Sequence, residues 1–246
     1  MQTVIRPEVM PVTGGLILYD AEQGGKVNEH VFAPAYWRAR DAFGDEPLGG
    51  RGAAWRIRAG GIDWVLRFYR RGGLPGKFIS DWYLFTGIER TRPWREWRLL
   101  ADMHELGLPV PRPVAARVRR GRLGYHGALI TETVPGESLA RLLLGGTMTD
   151  AAWSAAGKCI RRFHDAGIWH ADLNAHNILI DPDGSEKPEV RLIDFDRGRM
   201  RPQDTAWRQG NLARLQRSLA KITADTDAAA QVPAGWARLD AAYRGD

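Results

Sequence analysis

Three side chains that carry oxygen ligands lie beside two short apolar runs in the second half of the chain. Asp172 and Asn177 precede the run at residues 178–180, and Asp194 follows the run at residues 190–193. Mg²⁺ takes oxygen ligands of this kind in proteins and usually keeps phosphate as a further ligand. A second carboxylate beside the metal can accept a hydroxyl proton while the metal neutralises phosphate charge. The pattern therefore predicts phosphoryl transfer.

The composition is that of an ordinary soluble protein that is long enough to bury a core. Of its 246 residues, 44% are hydrophobic and 26% are charged. The net charge of +6, carried mostly by arginine, indicates an anionic partner: nucleic acid, anionic lipid or a phosphorylated substrate. No aromatic and basic recognition motif supports nucleic acid, so we do not expect that partner.

The cysteine content and the N-terminus indicate the compartment. Cys159 is the single cysteine, which excludes an intramolecular disulfide, and its place in an apolar helical pattern predicts a core residue. Residues 1–7 lack the charged and apolar regions of a signal peptide, and no apolar run approaches the ~20 residues of a membrane span. We expect the protein to be made and kept in the cytoplasm.

The first half of the chain is rich in strands and the second half in helices. Alternating side chains predict a hairpin over residues 55–69 and another around residues 121–134, and Gly14–Asp20 is a further strand candidate. Helical spacing predicts helices with the apolar faces Trp94, Trp97, Leu100, Met103 and Leu106; Trp153, Ala156, Ile160 and Phe163; and Leu212, Leu215, Leu219 and Ile222. The Pro135-Gly136 break then separates two parts of an α+β fold, residues 1–134 and residues 135–246.

Candidate phosphate ligands lie in the strand-rich part. The chain has no G-x-x-x-x-G-K-[S/T] sequence, which excludes a P-loop nucleotidase. A loop containing Gly50, Arg51 and Gly52 leads into the first hairpin; it could cover phosphates with its backbone amides, or it could be a tight turn. Arg67 on the next strand could hold phosphates, or it could be an exposed cation on an edge strand. Glu96 is the carboxylate best placed to orient that cation, with Glu105 as its competitor near the helix end.

These motifs resemble those of protein-kinase-like enzymes. The H-x-D-x-x-x-x-N sequence of His170, Asp172 and Asn177, followed by Asp194-Phe195, is similar to the kinase catalytic loop and metal-binding motif. The glycine-rich hairpin, the Arg67 strand, the Glu96 helix and the Pro135-Gly136 break follow in kinase order, over roughly residues 48–200. The resemblance implies a two-lobe fold with an antiparallel-sheet N-lobe and a small, mainly helical C-lobe, together forming one kinase-like domain.

The resemblance also implies a role for each candidate residue. Asp172 would be the general base, Asn177 and Asp194 would hold Mg²⁺, and Glu96 would pair with the phosphate-binding cation. Backbone groups near Glu132 would meet the adenine of ATP at the hinge between the lobes.

Two departures from the protein-kinase pattern bear on the substrate. Arg67 stands where protein kinases have lysine, and the second motif reads Asp194-Phe195-Asp196 rather than D-F-G. The stretch after Asp194 is too short for the activation segment and helical lobe of regulated protein kinases. It looks like the minimal lobe of small-molecule and lipopolysaccharide-core kinases.

More narrowly, the sequence resembles those of the 3-deoxy-D-manno-octulosonic acid (Kdo) kinases of Gram-negative bacteria. The segments that carry this likeness are residues 50–55, 66–73, 94–100, 107–113 and 169–177. The resemblance implies ATP-dependent, Mg²⁺-dependent phosphorylation of a Kdo hydroxyl on a Kdo-lipid A precursor, as a peripheral protein on the cytoplasmic side of the inner membrane. Arg197, Arg199 and Arg201 are then candidate ligands for an anionic acceptor, and the apolar and basic residues 77–85 are a candidate membrane contact.

Other functions remain open at this point. The acceptor could instead be a core heptose, an aminoglycoside or a protein serine. Outside enzymes, the chain could be a catalytically inactive kinase-like binding module. The oligomeric state is not predicted by any pattern in the sequence.

Overall fold

The computed structural model of the chain describes residues 4–44, 48, 54–69, 83–122, 124–181, 187–202 and 205–245. It consists of two compact units, Met1–Glu105 with Pro111–Thr133 and Leu106–Val110 with Val134–Asp246. The division expected at residue 134 does not anticipate that residues 106–110 group with the second unit. Two hydrogen bonds hold them there: the Leu192 amide donates to the Pro109 carbonyl (3.1 Å), and the Arg162 guanidinium donates to the Gly107 carbonyl (2.9 Å).

An antiparallel sheet forms the first unit. Within the described residues it has seven strands in the order β1-β2-β6-β7-β4-β3, with β5 paired to β7. The strands are β1 (Pro7–Val12), β2 (Gly15–Asp20), β3 (Ala54–Ala59), β4 (Ile62–Phe68), β5 (Tyr83–Leu84), β6 (Pro113–Arg120) and β7 (Gly124–Glu132). Both predicted hairpins are confirmed, as β3–β4 and β6–β7, and the predicted strand near Gly14 is β2. Cross-strand side chains such as Ile57 and Leu66 are fully buried, as alternation requires.

Two α-helices pack in the described part of this unit. The first, α1 (Pro34–Arg38), is short and buries Trp37, which meets Trp64 of β4 edge to face at 6.2 Å. The second, α2 (Arg92–Glu105), is the predicted helix and buries Trp94, Trp97, Leu100 and Met103 of its predicted apolar face.

Leu106 is the exception to the predicted apolar face of α2. Its side chain is 54% exposed, so its assignment to that face is wrong. The helix ends at Glu105, and Gly107 has a φ of 70°, a left-handed conformation that turns the chain away from the helix axis.

Helices dominate the second unit. They are α3 (Leu139–Leu144), α4 (Asp150–Asp165), α5 (Thr205–Thr223) and α6 (Val232–Arg244). Short strands complete it: β8 (Glu137–Ser138), β9 (Ile168–Trp169), β10 (Ile178–Asp181), β11 (Glu189–Leu192) and β12 (Arg199–Met200). They pair in the order β11-β10-β8 and, separately, as β12-β9. Thr149 caps α4 by accepting a hydrogen bond from the Ala152 amide at 3.1 Å, as its position before the apolar pattern predicts.

The sequence pattern did not predict α6. Pro233 and Gly235 weaken its signal, but both have a place in the helix. The proline lies in the first turn, and a β-carbon on Gly235 would come 2.2 Å from the Trp153 ring of α4. Gly157 of α4 similarly leaves space for the Leu239 carbonyl, which lies 2.1 Å from the position of its missing β-carbon. The glycines therefore allow α4 and α6 to pack closely.

Among the described residues, no helix is both long enough and apolar enough to cross a membrane.

Candidate active site

The strand cation and the helix carboxylate predicted from sequence form an ion pair. Arg67 Nη2 of β4 lies 2.5 Å from Glu96 Oε1 of α2, and their side chains are 19% and 2% exposed. The Tyr69 hydroxyl donates to the other carboxylate oxygen at 2.5 Å. Both oxygens of Glu96 therefore accept hydrogen bonds, as a buried carboxylate requires. Glu105, the competing carboxylate, is exposed near the helix end.

Tyr69 is part of this cluster without having been predicted for it. Its ring lies 4.9 Å from the Arg67 guanidinium carbon and 5.2 Å from that of Arg92. Arg67 and Tyr69 are two residues apart, so they share a face at the end of β4. That spacing was visible in the sequence, but nothing in it showed that the hydroxyl would reach Glu96.

Glu132 ends β7, the neighbouring strand of the same sheet. Its backbone amide donates to the Arg112 carbonyl (2.9 Å), and the Thr133 amide donates to the Asp63 carbonyl (2.9 Å). Both amides are thus engaged within the first unit. The predicted phosphate loop, with Gly50, Arg51 and Gly52, lies outside the described residues.

His170 anchors the loop of residues 170–177, which joins β9 to β10 in the second unit. The ring is buried, at 2% exposure, and burial lowers its pKa. Its Nδ1 accepts a hydrogen bond from the Asp172 amide at 3.1 Å, so the proton of the neutral ring lies on Nε2. Nε2 then donates to the Ile193 carbonyl at 3.0 Å, which ties the loop to the residue before Asp194. His170 is therefore a scaffold residue that holds this loop.

Asn177 closes the same loop. Its Nδ2 donates to the Asp172 carbonyl at 3.0 Å, and Asn174 Nδ2 reaches the same carbonyl at 3.0 Å. The Asn177 carbonyl accepts from the Ile193 amide at 3.0 Å. Because Nδ2 of Asn177 holds the loop, its side-chain oxygen is the atom that can bind a cation.

Asp194 has an unusual backbone conformation beside this loop. Its φ is 63°, the left-handed region that non-glycine residues rarely adopt. The neighbours on both sides are fixed. Ile193 is hydrogen-bonded to the loop as described, and Phe195 is fully buried, 5.6 Å from the Phe163 ring and 4.6 Å from the His170 ring. Strain of this kind persists only where the surroundings enforce it, and it is concentrated at functional sites.

The metal candidates are thus one amide and one carboxylate. The described residues contain no group of three or more His, Cys, Asp or Glu side chains that could hold a metal. Asn177 and Asp194 therefore offer oxygen donors alone. Mg²⁺ fits such a set, because it binds through one or two protein oxygens and completes its shell with water and substrate phosphate. Softer transition metals such as Zn²⁺ and Cu²⁺ favour nitrogen or sulfur ligands, whereas Mn²⁺ shares the preference of Mg²⁺ for oxygen.

A buried amide on α5 holds the start of the loop. Asn211 Nδ2 donates to the His170 carbonyl (2.8 Å), and its Oδ1 accepts from the His170 amide (3.3 Å). His164 Nε2 lies 3.3 Å from the same oxygen, and its Nδ1 lies 2.8 Å from the Tyr243 hydroxyl. Burial lowers the pKa of His164 to about 4, so the ring is neutral at pH 7. Asn211 is not among the predicted site residues, although it lies four residues before the core residue Leu215, where a buried side chain is expected.

Asp172 itself is half exposed, and its carboxylate has a partner that no sequence motif predicts. Arg214 Nη1 of α5 lies 2.5 Å from Asp172 Oδ1, with side chains 48% and 56% exposed. The loop thus presents a carboxylate with a fixed backbone and one oxygen engaged by a guanidinium.

Arginines lie beside the strand that leads into the loop. Arg199 in β12 pairs with Trp169 in β9. The guanidinium carbons of Arg199 and Arg201 lie 5.1 Å and 4.3 Å from the centre of the Trp169 ring. Arg197 precedes them in an exposed left-handed turn, with a φ of 63°.

Cys159 is not part of the site. It is 5% exposed, and burial raises its pKa to about 12, so its thiol is not a nucleophile at neutral pH. The prediction of a core residue is confirmed.

Comparison with known proteins relates the chain to kinases of lipopolysaccharide. The model of the lipopolysaccharide kinase (Kdo/WaaP) family matches residues 35–243. The 3-deoxy-D-manno-octulosonic acid kinase of Stenotrophomonas maltophilia (strain K279a) is 45% identical over 231 residues, 93% of this chain and 89% of that protein. The protein of the same name from Xylella fastidiosa (strain M12) is 44% identical over 208 residues, 85% of this chain and 81% of that one.

A solved structure with lower sequence identity to the chain shows the same fold. WaaP in complex with acyl carrier protein superposes with a TM-score of 0.50 at 18% sequence identity, covering 82% of each chain. The α+β, kinase-like fold expected from the motifs is thereby confirmed. Because the family model spans most of the chain and two curated relatives share more than two fifths of its sequence, the chain belongs to the lipopolysaccharide kinase (Kdo/WaaP) family.

Proposed function

We propose that the chain transfers the γ-phosphoryl group of ATP to a hydroxyl of Kdo on a Kdo-lipid A precursor, in lipopolysaccharide core biosynthesis. One observation carries this proposal. The loop of residues 170–177 fixes the Asp172 backbone through three hydrogen bonds, in a chain 45% identical to a Kdo kinase. A carboxylate held in this way at the surface is suited to meet an acceptor hydroxyl.

Asp172 acts as the general base in this proposal. The acceptor hydroxyl donates its proton to the carboxylate as its oxygen forms a bond to the γ-phosphorus, and the bond from that phosphorus to the bridging oxygen of ADP breaks. Positioning supplies most of the rate in such reactions, because the transferred group needs little covalent help. The fixed loop backbone provides that positioning.

Asn177 and Asp194 would hold Mg²⁺. The ion neutralises charge on the phosphate oxygens when bound. The protein contributes the Asn177 side-chain oxygen and the Asp194 carboxylate, and the Ile193 hydrogen bonds to His170 and Asn177 keep the two residues in register. The strained φ of Asp194 supports a functional role for its orientation.

Arg67 would bind the ATP phosphates, oriented by Glu96. A guanidinium offers a planar fork to phosphate oxygens, where a lysine offers a point charge. Because the amides of Glu132 and Thr133 already donate to other carbonyls, an adenine near the end of β7 would form hydrogen bonds with carbonyl oxygens there or with backbone amides after residue 133. Gly50, Arg51 and Gly52 remain candidates for covering the phosphates. The two units would act together as one kinase domain.

Arg197, Arg199 and Arg201 would bind the acceptor. A Kdo-lipid A precursor carries carboxylate and phosphate groups, which planar guanidinium groups bind well. The Trp169 ring beside Arg199 and Arg201 adds an amphipathic surface. We further propose that the protein works as a peripheral protein on the cytoplasmic side of the inner membrane, where basic residues gain about 1 kcal/mol each near anionic lipid.

Phosphorylation of defined acceptors tests the proposal. The purified chain is incubated with labelled ATP, Mg²⁺ and Kdo-lipid A, and the product is analysed by mass spectrometry to locate the new phosphate. Parallel reactions contain a core heptose acceptor, an aminoglycoside or a protein substrate. We expect label on the Kdo residue alone; label on another acceptor would overturn the substrate assignment. ATP turnover on none of the acceptors would favour an inactive binding module.

A further inference from the structure

One face of α5 follows the catalytic loop. Three of its side chains contact the loop at successive points: Asn211 with His170, Arg214 with Asp172, and Ser218 with Ala175, whose amide donates to the Ser218 hydroxyl at 3.2 Å. Positions 211, 214 and 218 follow the i, i+3, i+7 spacing of a single helix face. Two of these contacts hold the loop backbone, and the middle one holds the carboxylate of Asp172.

Arg214 controls a degree of freedom that the loop leaves open. The hydrogen bonds from His170, Asn174 and Asn177 fix the backbone of Asp172, but its side-chain torsion lies beyond them. Arg214 Nη1 engages Oδ1 at 2.5 Å. Within the described part of the chain, no hydrogen bond to Oδ2 is recorded. The arrangement ties one carboxylate oxygen to α5 and leaves the other to accept a proton.

We infer that Arg214 is a positioning residue that orients the Asp172 carboxylate for proton acceptance. The inference rests on the role proposed for Asp172 as the base. The helix is well placed for this task, because the buried Asn211 amide fixes it to the loop one turn earlier. The loop thus fixes the backbone of Asp172, and Arg214 fixes the orientation of its carboxylate.

The alternative is that Arg214 binds the transferred phosphoryl group directly. The two roles differ in what they do to kinetics. A positioning residue acts on the chemical step, so its loss lowers kcat and leaves the KM for ATP unchanged. A phosphate ligand in the ground state contributes to binding, so its loss raises the KM for ATP.

A matched control exists in the same unit. Arg238 pairs with Asp150 at 2.7 Å, with an arginine as exposed as Arg214 (46% against 48%) and a carboxylate more exposed than Asp172 (74% against 56%). Exposed pairs of this kind contribute little to stability. Neither Arg214→Ala nor Arg238→Ala should therefore shift the midpoint of thermal unfolding beyond a degree or two, on the order expected for surface substitutions.

The experiment measures kcat, the KM for ATP and the unfolding midpoint for wild type, Arg214→Ala, Arg214→Lys and Arg238→Ala. We expect Arg214→Ala to lower kcat by about 10- to 100-fold, as misplacement of a reacting group does, with the KM for ATP within about twofold. Arg214→Lys should recover part of the loss, because it restores the charge without the planar fork. Added guanidinium should partly restore Arg214→Ala and leave Arg238→Ala unchanged.

Two results would overturn the inference. Either kcat of Arg214→Ala stays within about twofold of wild type, or the loss lies in the KM for ATP. Wild-type transfer to Kdo-lipid A is measured first in the same assay. If wild type does not phosphorylate Kdo-lipid A, the acceptor proposal fails by itself, and the Arg214 series is run on whichever acceptor the wild type does phosphorylate.

Discussion

Two arginine–carboxylate pairs of equal length lie in opposite surroundings. Arg67 and Glu96 in the first unit meet at 2.5 Å with side chains 19% and 2% exposed, whereas Arg214 and Asp172 in the second unit meet at 2.5 Å with side chains 48% and 56% exposed. A buried carboxylate that loses its partner is left uncompensated in a poor solvent, while an exposed one is rehydrated. Breaking the first pair should therefore destabilise the fold, whereas breaking the second should change the stability of the fold little.

The units differ also in what they bury. The first unit places the charged pair itself inside, with the Tyr69 hydroxyl as a further donor to Glu96. The second unit buries a neutral network of His164, Asn211 and His170 and leaves the Arg214–Asp172 pair at the surface. Under the proposed mechanism this division is useful. The cation that binds ATP phosphates is held rigidly, whereas the base remains accessible to an acceptor.

Asp172→Asn should separate activity from stability most completely. The amide keeps the shape of the side chain but cannot accept a proton, so kcat should fall by about 10³-fold or more. The midpoint of thermal unfolding should be close to that of wild type, because the carboxylate is exposed. Steady-state kinetics with Kdo-lipid A and a thermal melt measure both. Asp150→Asn, which alters the exposed Arg238–Asp150 pair, is the control for surface charge.

Near-normal turnover of Asp172→Asn would remove Asp172 from the proton transfer. A large loss of stability would instead show that the exposed pair resembles the buried one.

Glu96→Gln should act mainly on stability. The amide removes the charge that compensates Arg67, and loss of one partner of a buried pair costs about 3 kcal/mol or more. We expect a lower unfolding midpoint together with weaker ATP binding, because Arg67 loses the group that orients it. Chemical denaturation and nucleotide titration measure the two effects.

Glu89→Gln is the matched control for this change, since Glu89 pairs with Arg98 at 3.0 Å with side chains 61% and 44% exposed. An equal loss of stability in both variants would contradict the distinction between buried and exposed pairs.

The two units also differ in how far the sequence predicts them. His170, Asp172 and Asn177 lie in one short motif, and their geometry follows from hydrogen bonds within the loop. Arg214 lies 42 residues from Asp172, among many other arginines, and nothing in a polar helix face specifies which of them meets the loop. The sequence indicated a role for Asn211 only weakly, through a polar side chain at a core position of α5. The spacing of residues in the sequence does not predict contacts that depend on tertiary packing alone.

The first unit shows the same limit in another form. The alternation of β4 predicted that Arg67 and Tyr69 share a face, and the position of Glu96 in α2, together with the kinase resemblance, predicted its pairing with Arg67. The contribution of Tyr69 depends on the distance between β4 and α2, which the sequence does not encode. Helix α6 escaped prediction because its proline and glycine weaken helical propensity, while close packing against α4 stabilises it.

Acid should destabilise the second unit through its buried network. Burial lowers the pKa of His164 from 6.5 to about 4, so between these values the unfolded chain binds a proton that the folded chain does not. Stability therefore falls as pH falls from 6.5 towards 4, by about 1.4 kcal/mol per unit and so by about 2 kcal/mol between pH 7 and pH 5. Burial lowers the pKa of His170 as well, which adds a loss of the same sign.

Unfolding midpoints of wild type and His164→Gln at pH 7 and pH 5 measure this effect. Glutamine cannot take up the proton, so the variant should lose less stability on acidification. His30→Gln is the control, because the His30 side chain is 64% exposed. Equal acid sensitivity of all three proteins would show that other groups set the pH dependence.

Arg67→Lys should give the smallest effect and the sharpest comparison. The lysine keeps a positive charge beside Glu96, and the Tyr69 hydroxyl still donates to that carboxylate, so no buried charge is left uncompensated. The planar fork is lost, with about one hydrogen bond, so stability should fall by about 1 kcal/mol. The KM for ATP should rise about fivefold for the same reason, with kcat little changed, because the interaction would act on bound ATP before and during transfer.

Arg56→Lys in the neighbouring strand is the matched control for Arg67→Lys. Arg56 also binds a carboxylate, reaching Asp63 through two nitrogens at 2.8 Å and 2.6 Å, but the side chains are 35% and 46% exposed. We expect no change in the KM for ATP and a smaller change in stability. An unchanged KM in Arg67→Lys, with the loss of stability retained, would make the buried pair a structural feature of the first unit and would leave another cation to bind the ATP phosphates.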